Sequence, residues 1–183
     1  SRRPDYHILV PQNEGWARCI AGVYPQARRV TRYATEKTGM LFDRTRLARL
    51  AARLSPSDQL CPVNTTLYQR CLASPWSRDL VAQFPTPAVF ARRGLGMAVL
   101  RRGRLVAGAA SYSRYRGGIE VEVDTAPAHR GHGYATLAAA KLILTAHQQG
   151  KIATWDAANE TSAHIAQKLG YRVTCAYQVF TTA

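Results

Sequence analysis

The chain has 183 residues, of which 46% are hydrophobic, and its 25 Lys and Arg against 11 Asp and Glu give a formal charge of +14. This length and apolar content exclude a disordered chain and a chain that needs disulfides or metals to hold its core. The charge favours an anionic partner, such as a nucleic acid, a membrane surface or a phosphorylated ligand, but a solvated basic surface accounts for it equally well.

The first half of the chain is predicted to be mainly helical, with one short strand. Leucines at positions 47, 50 and 54 recur at helical spacing, and Asp43 in front of them is suited to cap a helix. Asn64 is suited to the same role after an apolar strand. The predicted helices cover residues 24–37, 43–54, 66–73 and 76–84, and the predicted strand covers 59–63.

The second half changes character, and strands separated by turns and helices are predicted there. Alternation of apolar and polar residues indicates the strands, and glycine or proline residues end them. A long apolar helix that ends before Gly150 should be buried on most sides. The predicted strands cover 96–100, 104–115, 119–125, 152–157 and 171–180, and the helices cover 134–149 and 159–169.

This order of elements predicts one domain over residues 1–183, with a helical N-terminal part (1–58) followed by a sheet (59–183). The fold class is α+β, or mixed α/β, because helices pack on a sheet whose first strands are joined by hairpins. We expect a central, mostly antiparallel, twisted sheet flanked by helices.

The four cysteines are far apart and form neither a CxxC pair nor a zinc-site spacing. We interpret them as reduced, mostly buried thiols of a cytoplasmic protein. Residues 1–30 lack the apolar core of a signal peptide, and no apolar segment is long enough to span a bilayer. Neither a metal site nor a membrane partner is expected.

The most informative segment is Arg130–Ala135 (RGHGYA), which lies between a predicted strand and the start of a predicted helix. The unpaired N–H groups and the dipole of a helix N-terminus attract an anion, and glycines let the backbone approach it closely. Arg130 can add a charge-assisted hydrogen bond. The segment therefore predicts a pyrophosphate site, although a glycine-rich turn also occurs without a ligand.

Two segments resemble motifs of the GNAT superfamily of N-acetyltransferases. Arg130, Gly133 and Ala135 match its acetyl-CoA motif, Arg/Gln-x-x-Gly-x-Gly/Ala. A downstream element of the superfamily is matched at Asn159 and at residues 168–171. The resemblance implies the GNAT fold and an acetyl transfer from acetyl-CoA to an amine.

Further segments are similar to the subgroup of zwittermicin A-resistance acetyltransferases and, more distantly, to kasugamycin 2′-N-acetyltransferases. These segments are residues 76–84, 92–100, 108–125 and 154–159. The similarity implies a small-molecule acceptor, an aminoglycoside-type antibiotic such as kasugamycin, and antibiotic resistance by inactivation.

The resemblance also implies which residues contact acetyl-CoA. In GNAT enzymes the strand before the pyrophosphate loop binds the pantetheine arm through its backbone, and the loop binds the pyrophosphate. The implied contacts are Val123, Thr125, Arg130, Gly131, His132, Gly133, Tyr134, Ala135 and Asn159.

Glu120, Glu122 and Asp124 alternate along a predicted strand and therefore share one face of it. Neighbouring carboxylates raise one another's pKa, which suits a general base, and they also attract a cationic amine. A solvated strand face is the alternative interpretation. Glu122 is the first candidate for the base, Glu120 the second, and Asp124 completes the catalytic set.

Many GNAT enzymes protonate the leaving thiolate with a tyrosine, but the matching residue here is Ala166. His164, Tyr171 or a water molecule must then supply the proton, or the thiolate leaves without one. The residues expected to bind the acceptor are Trp76, Ser77, Arg78, Asp79, Tyr112 and Asp156.

Two alternatives remain open at this point. The acceptor could be a protein N-terminus or an aminoacyl-tRNA, although the basic residues are spread along the chain and no aromatic–basic RNA motif occurs, so nucleic acid is not expected. The chain could also bind acetyl-CoA without catalysis. The sequence does not decide the oligomeric state, and a homodimer is one option.

Overall fold

This computed structural model describes residues 7–37 and 42–182, which contain both strands and helices. The strands are β1 (Ile8–Leu9), β2 (Arg28–Thr35), β3 (Asp58–Pro62), β4 (Gly96–Arg101), β5 (Arg104–Tyr115), β6 (Gly118–Thr125), β7 (Ile152–Thr154), β8 (Asp156–Ala157) and β9 (Val173–Thr181). The helices of these residues are α1 (Glu14–Val23), α2 (Arg44–Ala51), α3 (Thr65–Ala73), α4 (Pro87–Arg93), α5 (Tyr134–Gln148) and α6 (Glu160–Leu169).

The strands form two sheets, and one continuous segment of chain passes from the first sheet into the second. One sheet has the order β3-β4-β5-β6-β7 and is antiparallel except for the parallel pair β6–β7. The other has the order β1-β9-β2-β8 and is antiparallel throughout. Only Trp155 separates β7 from β8. The predicted α+β class, with mostly antiparallel strands and flanking helices, is confirmed, although the strands form two sheets and not one central sheet.

Strands β6 and β7 separate soon after they meet. They pair from Gly118 with Ile152 to Glu120 with Thr154, and beyond Trp155 the chain pairs with β2 instead. In the part of the chain that the structure describes, the edge of β6 after Glu120 therefore has no strand partner on this side. The two sheets diverge at this point.

Helix α5 packs on β4, β5 and β6 and forms the centre of the larger core. Its apolar residues are almost completely buried, as predicted, because it is covered on one side by the sheet and on the other by α2 and α6. The helix begins at Gly133, whose φ of 79° is left-handed, without a hydrogen bond from a capping side chain. Packing therefore fixes α5 while its N-terminus stays open.

The prediction of a helix over residues 24–37 is wrong, because strand β2 lies there. Val30, Tyr33 and Thr35 are β-branched or aromatic, which favours a strand, and β2 pairs with β9 on one edge and with β8 on the other. The N-terminal part (1–58) is accordingly not all helical, since it also contributes β1 and β2 to a sheet. Helix α1, which Asn13 caps, was not predicted.

The prediction of a helix over residues 76–84 is also wrong, since only a 3₁₀ turn forms there, at Arg78–Leu80. Ser77 is fully buried, and its hydroxyl donates to the Cys71 carbonyl at 3.1 Å, which fixes the chain in a turn. A helix that was not predicted follows, α4, with Thr86 as its N-cap and a proline in its first turn.

The prediction of mostly buried cysteines is wrong for two of the four. Cys71 is buried and Cys61 half-buried, whereas Cys19 and Cys175 are exposed, and all four are free thiols. Within residues 7–37 and 42–182, no helix combines the length and the hydropathy needed to cross a membrane.

Candidate active site

A cleft of about 1390 Å³ occupies the space where β6 and β7 diverge. Residues 120–125 of β6 line one wall, and Trp155 and Asp156, at the break between β7 and β8, line another. Residues 129–131 and the first residues of α5 continue the lining beyond the end of β6. The cleft thus joins the carboxylate row of β6 to the glycine-rich loop that the sequence singled out.

The loop before α5 has the geometry of an anion site. Gly131 and Gly133 both have a φ of 79°, and a Cβ added to either would meet no atom within 4 Å. The first N–H groups of α5 have no partner inside the helix, and no side chain caps them. Together with the helix dipole, these N–H groups favour a phosphate at the mouth of the cleft.

Tyr134, the first residue of α5, anchors this loop from behind. Its hydroxyl donates to Asp58 Oδ2 at 3.0 Å and accepts from Arg101 Nη1 at 2.5 Å. The ring is only 5% exposed. The backbone of the loop is therefore held against β3 and β4 while its N–H groups remain available.

The remaining loop residues differ in their access to the cleft. Arg130 is exposed and lines the cleft, and its Nε donates to the Thr125 carbonyl at 3.4 Å. His132 is not part of the lining, since its Nδ1 lies 2.8 Å from the Arg130 carbonyl oxygen and its ring stacks on Tyr134. Asn159 lines the cleft, but its side chain caps α6 by accepting from the N–H of Ser162.

Glu120, Glu122 and Asp124 share the face of β6 that points away from α5. The residues between them, Val121 and Val123, pack with the core around α5. All three carboxylates line the cleft and are half-buried. The structure therefore brings the predicted catalytic residues together in the cleft.

Burial dominates the acid–base properties of this row. It raises the pKa of Glu120, against a hydrogen bond from Thr154, and it raises the pKa of Glu122, against the backbone N–H of Val123. Burial and repulsion by Glu122 raise the pKa of Asp124 to about 7, although Arg130 opposes the shift. Carboxyl groups with raised pKa values are better proton acceptors near neutral pH than ordinary carboxylates.

Asp156, predicted to bind the acceptor, lies on β8 and is held in place by two residues that the sequence analysis missed. Arg32 Nε donates to its Oδ2 at 3.0 Å, and the Tyr177 hydroxyl donates to the same oxygen at 2.7 Å. Its other oxygen, Oδ1, is buried without a hydrogen-bond partner among the described residues. The available signal for Arg32 was the β-branched and aromatic content of residues 28–35, which favours a strand.

The other residues predicted to bind the acceptor divide into two groups. Asp79 and Tyr112 line the cleft, and Tyr112 is the extra residue of a β-bulge opposite Glu120 and Val121. Trp76, Ser77 and Arg78 do not line it; Ser77 is fully buried, and Arg78 Nε donates to the Leu72 carbonyl at 3.3 Å.

The residues that could replace the missing tyrosine as proton donor also differ in their position relative to the cleft. Ala166 is completely buried in the core. His164 is exposed and lines the cleft. Tyr171 is buried, its hydroxyl donates to the Ala153 carbonyl at 2.8 Å, and burial raises its pKa well above the ordinary value.

The described residues contain no group of three or more His, Cys, Asp or Glu side chains placed to hold a metal ion. Acid–base and anion-binding chemistry are the functions that this arrangement can perform.

Comparison with known protein families shows to which family this chain belongs. A family model described as GNAT acetyltransferase matches residues 1–180. The chain belongs to this family, whose members use acetyl-CoA. No curated protein matches the chain.

Solved structures agree with the family. A GCN5-related N-acetyltransferase-like protein from Streptococcus suis 89/1591 is 43% identical, with a TM-score of 0.91 over 94% of this chain and 70% of that one. A putative GNAT-family acetyltransferase from Novosphingobium aromaticivorans DSM 12444 is 19% identical, with a TM-score of 0.59 over 99% and 68% of the two chains. A GCN5-related N-acetyltransferase from Kribbella flavida is 20% identical, with a TM-score of 0.61 over 97% and 68%. The last two show the fold alone.

Replacing Gly133 with alanine should weaken acetyl-CoA binding at least about tenfold, because position 133 has a left-handed φ and the new Cβ would enter the open space in which a phosphate is expected. Gly150→Ala is the matched control, since Gly150 has a φ of 66°, meets no atom within 4 Å and ends the same helix at its other terminus. Calorimetric titration should show the loss only for Gly133→Ala. Equal affinities of the two variants would contradict this placement.

Asp124 should make the protein less stable as the pH rises. Its pKa is about 7 in the folded chain against an ordinary 3.8, so between these values the folded state binds more protons than the unfolded state. The free energy of unfolding therefore falls from about pH 4 to about pH 7 and then levels off. In thermal denaturation, the stability of Asp124→Asn relative to wild type should increase across that interval. A stability difference that does not change with pH would contradict the raised pKa.

Proposed function

We propose that this protein transfers the acetyl group of acetyl-CoA to an amine of a small polar molecule. The observation that carries the proposal is the concentration of carboxylates in the cleft. Five of the 11 acidic residues line it, in a chain whose formal charge is +14. They are Asp79, Glu120, Glu122, Asp124 and Asp156. Four Lys or Arg residues also line the cleft (Arg32, Lys37, Arg130 and Lys168), so five acidic against four basic side chains give it a formal charge of −1. It therefore attracts a cationic amine locally although the molecule as a whole repels cations.

Acetyl-CoA supplies the acetyl group as an activated thioester. The loop of residues 130–135 would hold its pyrophosphate, because the two left-handed glycines leave open space in front of an uncapped helix. The unpaired edge of β6 at Val123 and Thr125 would bind the pantetheine arm through backbone hydrogen bonds. Arg130 would add a positive charge beside the loop.

The carboxylate row of β6 would perform the proton transfers. Glu122 is the proposed general base, because its pKa is raised by burial and it lies in the cleft beyond the last β6–β7 pair. Having taken a proton from the amine, Glu122 can return it to the departing thiolate. This double use supports a mechanism without the tyrosine that Ala166 replaces.

The proposed acceptor is a small, polar antibiotic amine, either of the aminoglycoside type, such as kasugamycin, or zwittermicin A, so that acetylation would confer resistance. The similarity to the corresponding resistance enzymes, in four blocks of sequence, supports this acceptor. A cytoplasmic location, where acetyl-CoA is available, belongs to the same proposal.

A screen of coenzyme A release over antibiotic amines, peptides and polyamines tests this function. Kasugamycin should be acetylated faster than neomycin at one ionic strength, because a chain of charge +14 repels a polycation more strongly. A faster reaction with neomycin would refute the charge argument. Reaction with a peptide amine or an aminoacyl-tRNA alone would replace the antibiotic acceptor, and binding of acetyl-CoA without any turnover would identify a non-catalytic module.

Replacing Glu122 with glutamine should lower turnover by roughly 10²–10⁴-fold, the usual range for loss of a general base, while acetyl-CoA affinity stays near wild type. Glu14→Gln is the control for the same chemical change, since Glu14 lies outside the cleft and, among residues 7–37 and 42–182, forms an ion pair only with exposed Arg29, at 3.5 Å. Steady-state kinetics decide the assignment. Full activity of Glu122→Gln together with an inactive Glu120→Gln would move the base two residues back.

A further inference from the structure

Conversion of an ammonium group into an amide releases two protons, and this stoichiometry bears on the residues around Glu120. The nitrogen bonds to the acetyl carbon, the carbon–sulfur bond breaks, one proton ends on the thiol and the other goes to solvent. Under the proposed function, on which this inference rests, Glu122 can carry the proton that reaches the sulfur. The first proton, which must leave before the nitrogen can attack, needs a separate route out of the cleft.

A continuous chain of hydrogen bonds leads from Glu120 to the protein surface. The Thr154 hydroxyl donates to Glu120 Oε2, and the Tyr115 hydroxyl lies 3.2 Å from Thr154 Oγ1 as its hydrogen-bond donor. Thr154 is only 5% exposed, whereas Tyr115 is 44% exposed. Glu120 lines the cleft, but Thr154 and Tyr115 do not. The three groups therefore connect the cleft to solvent through two residues that do not line it.

The fold builds this chain at the point where β6 and β7 separate. Thr154 is the last residue of β7 and pairs with Glu120 across the parallel strands. Tyr115 ends β5 opposite Gly118, and its ring covers that glycine so closely that a Cβ there would lie 2.3 Å from it. Glycine at this position lets the tyrosine reach across β6 to Thr154.

We propose that Glu120 takes the first proton from the acceptor's ammonium group and passes it through the hydroxyls of Thr154 and Tyr115 to solvent. Glu120 Oε1 is buried and has no hydrogen-bond partner among residues 7–37 and 42–182, so it is the oxygen free to receive the proton once the side chain, which lines the cleft, turns it toward the acceptor. After Glu120 is protonated on this oxygen, its carboxyl group turns so that the proton faces Thr154 Oγ1, and both hydroxyls turn so that each donates outward, which a hydroxyl can do because it both donates and accepts. Each oxygen of the chain then gains one proton and gives one away.

The charges around Glu120 suit a group that is protonated and deprotonated in each cycle. Burial and the nearby Asp156 raise its pKa, whereas Thr154, Lys37 and the backbone N–H of Asp156 lower it. Glu122 on the same strand repels it, and the buried Tyr171 hydroxyl stays protonated because its own pKa is raised well above the ordinary value. These opposing influences leave the pKa of Glu120 above its ordinary value, and burial is the largest cause.

The test compares Thr154→Val, Thr154→Ser and Tyr115→Phe with wild type, using acetyl-CoA and kasugamycin, or the amine that the screen ranks first. At neutral pH, where the acceptor is an ammonium ion, kcat/KM of Thr154→Val and Tyr115→Phe should fall roughly tenfold or more. Above the pKa of the acceptor amine the nitrogen is already neutral, so this loss should disappear. Thr154→Ser keeps the hydroxyl and should restore activity across the whole pH range.

Tyr68→Phe is the control for loss of a buried hydroxyl, since Tyr68 donates to the Phe84 carbonyl and does not line the cleft. Tyr115→Phe, at an exposed position, keeps the test valid if Thr154→Val fails to fold. Unchanged activity of both variants at neutral pH would overturn the relay, and so would an equal loss at every pH, which indicates a structural role. A wild-type protein that acetylates no amine would instead overturn the proposed function, and the relay with it.

Discussion

The separation of β6 from β7 after the pair Glu120–Thr154 is the constraint on which the rest of the site depends. Backbone N–H and C=O groups need partners, and a strand edge that loses its neighbour inside a protein must find them in water or in a ligand. Trp155 holds the break open, because it is 2% exposed and its indole N–H donates to Ser162 Oγ at 3.0 Å, while Thr35 binds its carbonyl oxygen. The cleft is therefore a consequence of strand pairing and not of a loop.

The same break separates two kinds of acidic residue. On β8, Asp156 is fixed by Arg32 and Tyr177, which both donate to one of its oxygens, so it keeps a single orientation. On β6, Glu122 and Asp124 lie in a partly desolvated row, and burial is the largest contribution to their raised pKa values. An ion-paired carboxylate is suited to position a ligand, whereas a desolvated carboxyl group is suited to exchange protons. The two walls thus favour different roles for the same functional group.

The sequence revealed those parts of the site whose signals are local. The loop at Arg130–Ala135, the alternating carboxylates and the apolar helix behind them each lie within one short segment, and spacing alone is enough to recognise them. Strand β2 was predicted as a helix, since the strands that pair with it, β8 and β9, lie more than 100 residues further along the chain. Arg32 and Tyr177 were missed for that reason. No spacing in the sequence indicates that Tyr115 contacts Thr154 either, because a β-bulge and the lack of a Cβ at Gly118 bring them together.

The replacement of the usual tyrosine by Ala166 follows from how the break is packed. Ala166 is 0% exposed and belongs to the same core as Trp155 and Tyr171, whose rings lie 5.6 Å apart. A tyrosine side chain at position 166 would have to displace part of this core, and overpacking of that kind typically costs about 1–3 kcal/mol or more. Tyr171 does not take over the role, because its hydroxyl is committed to the carbonyl of Ala153 on β7. The aromatic residues of this region hold the strands apart, and the proton transfers that we propose are left to the carboxylates of β6.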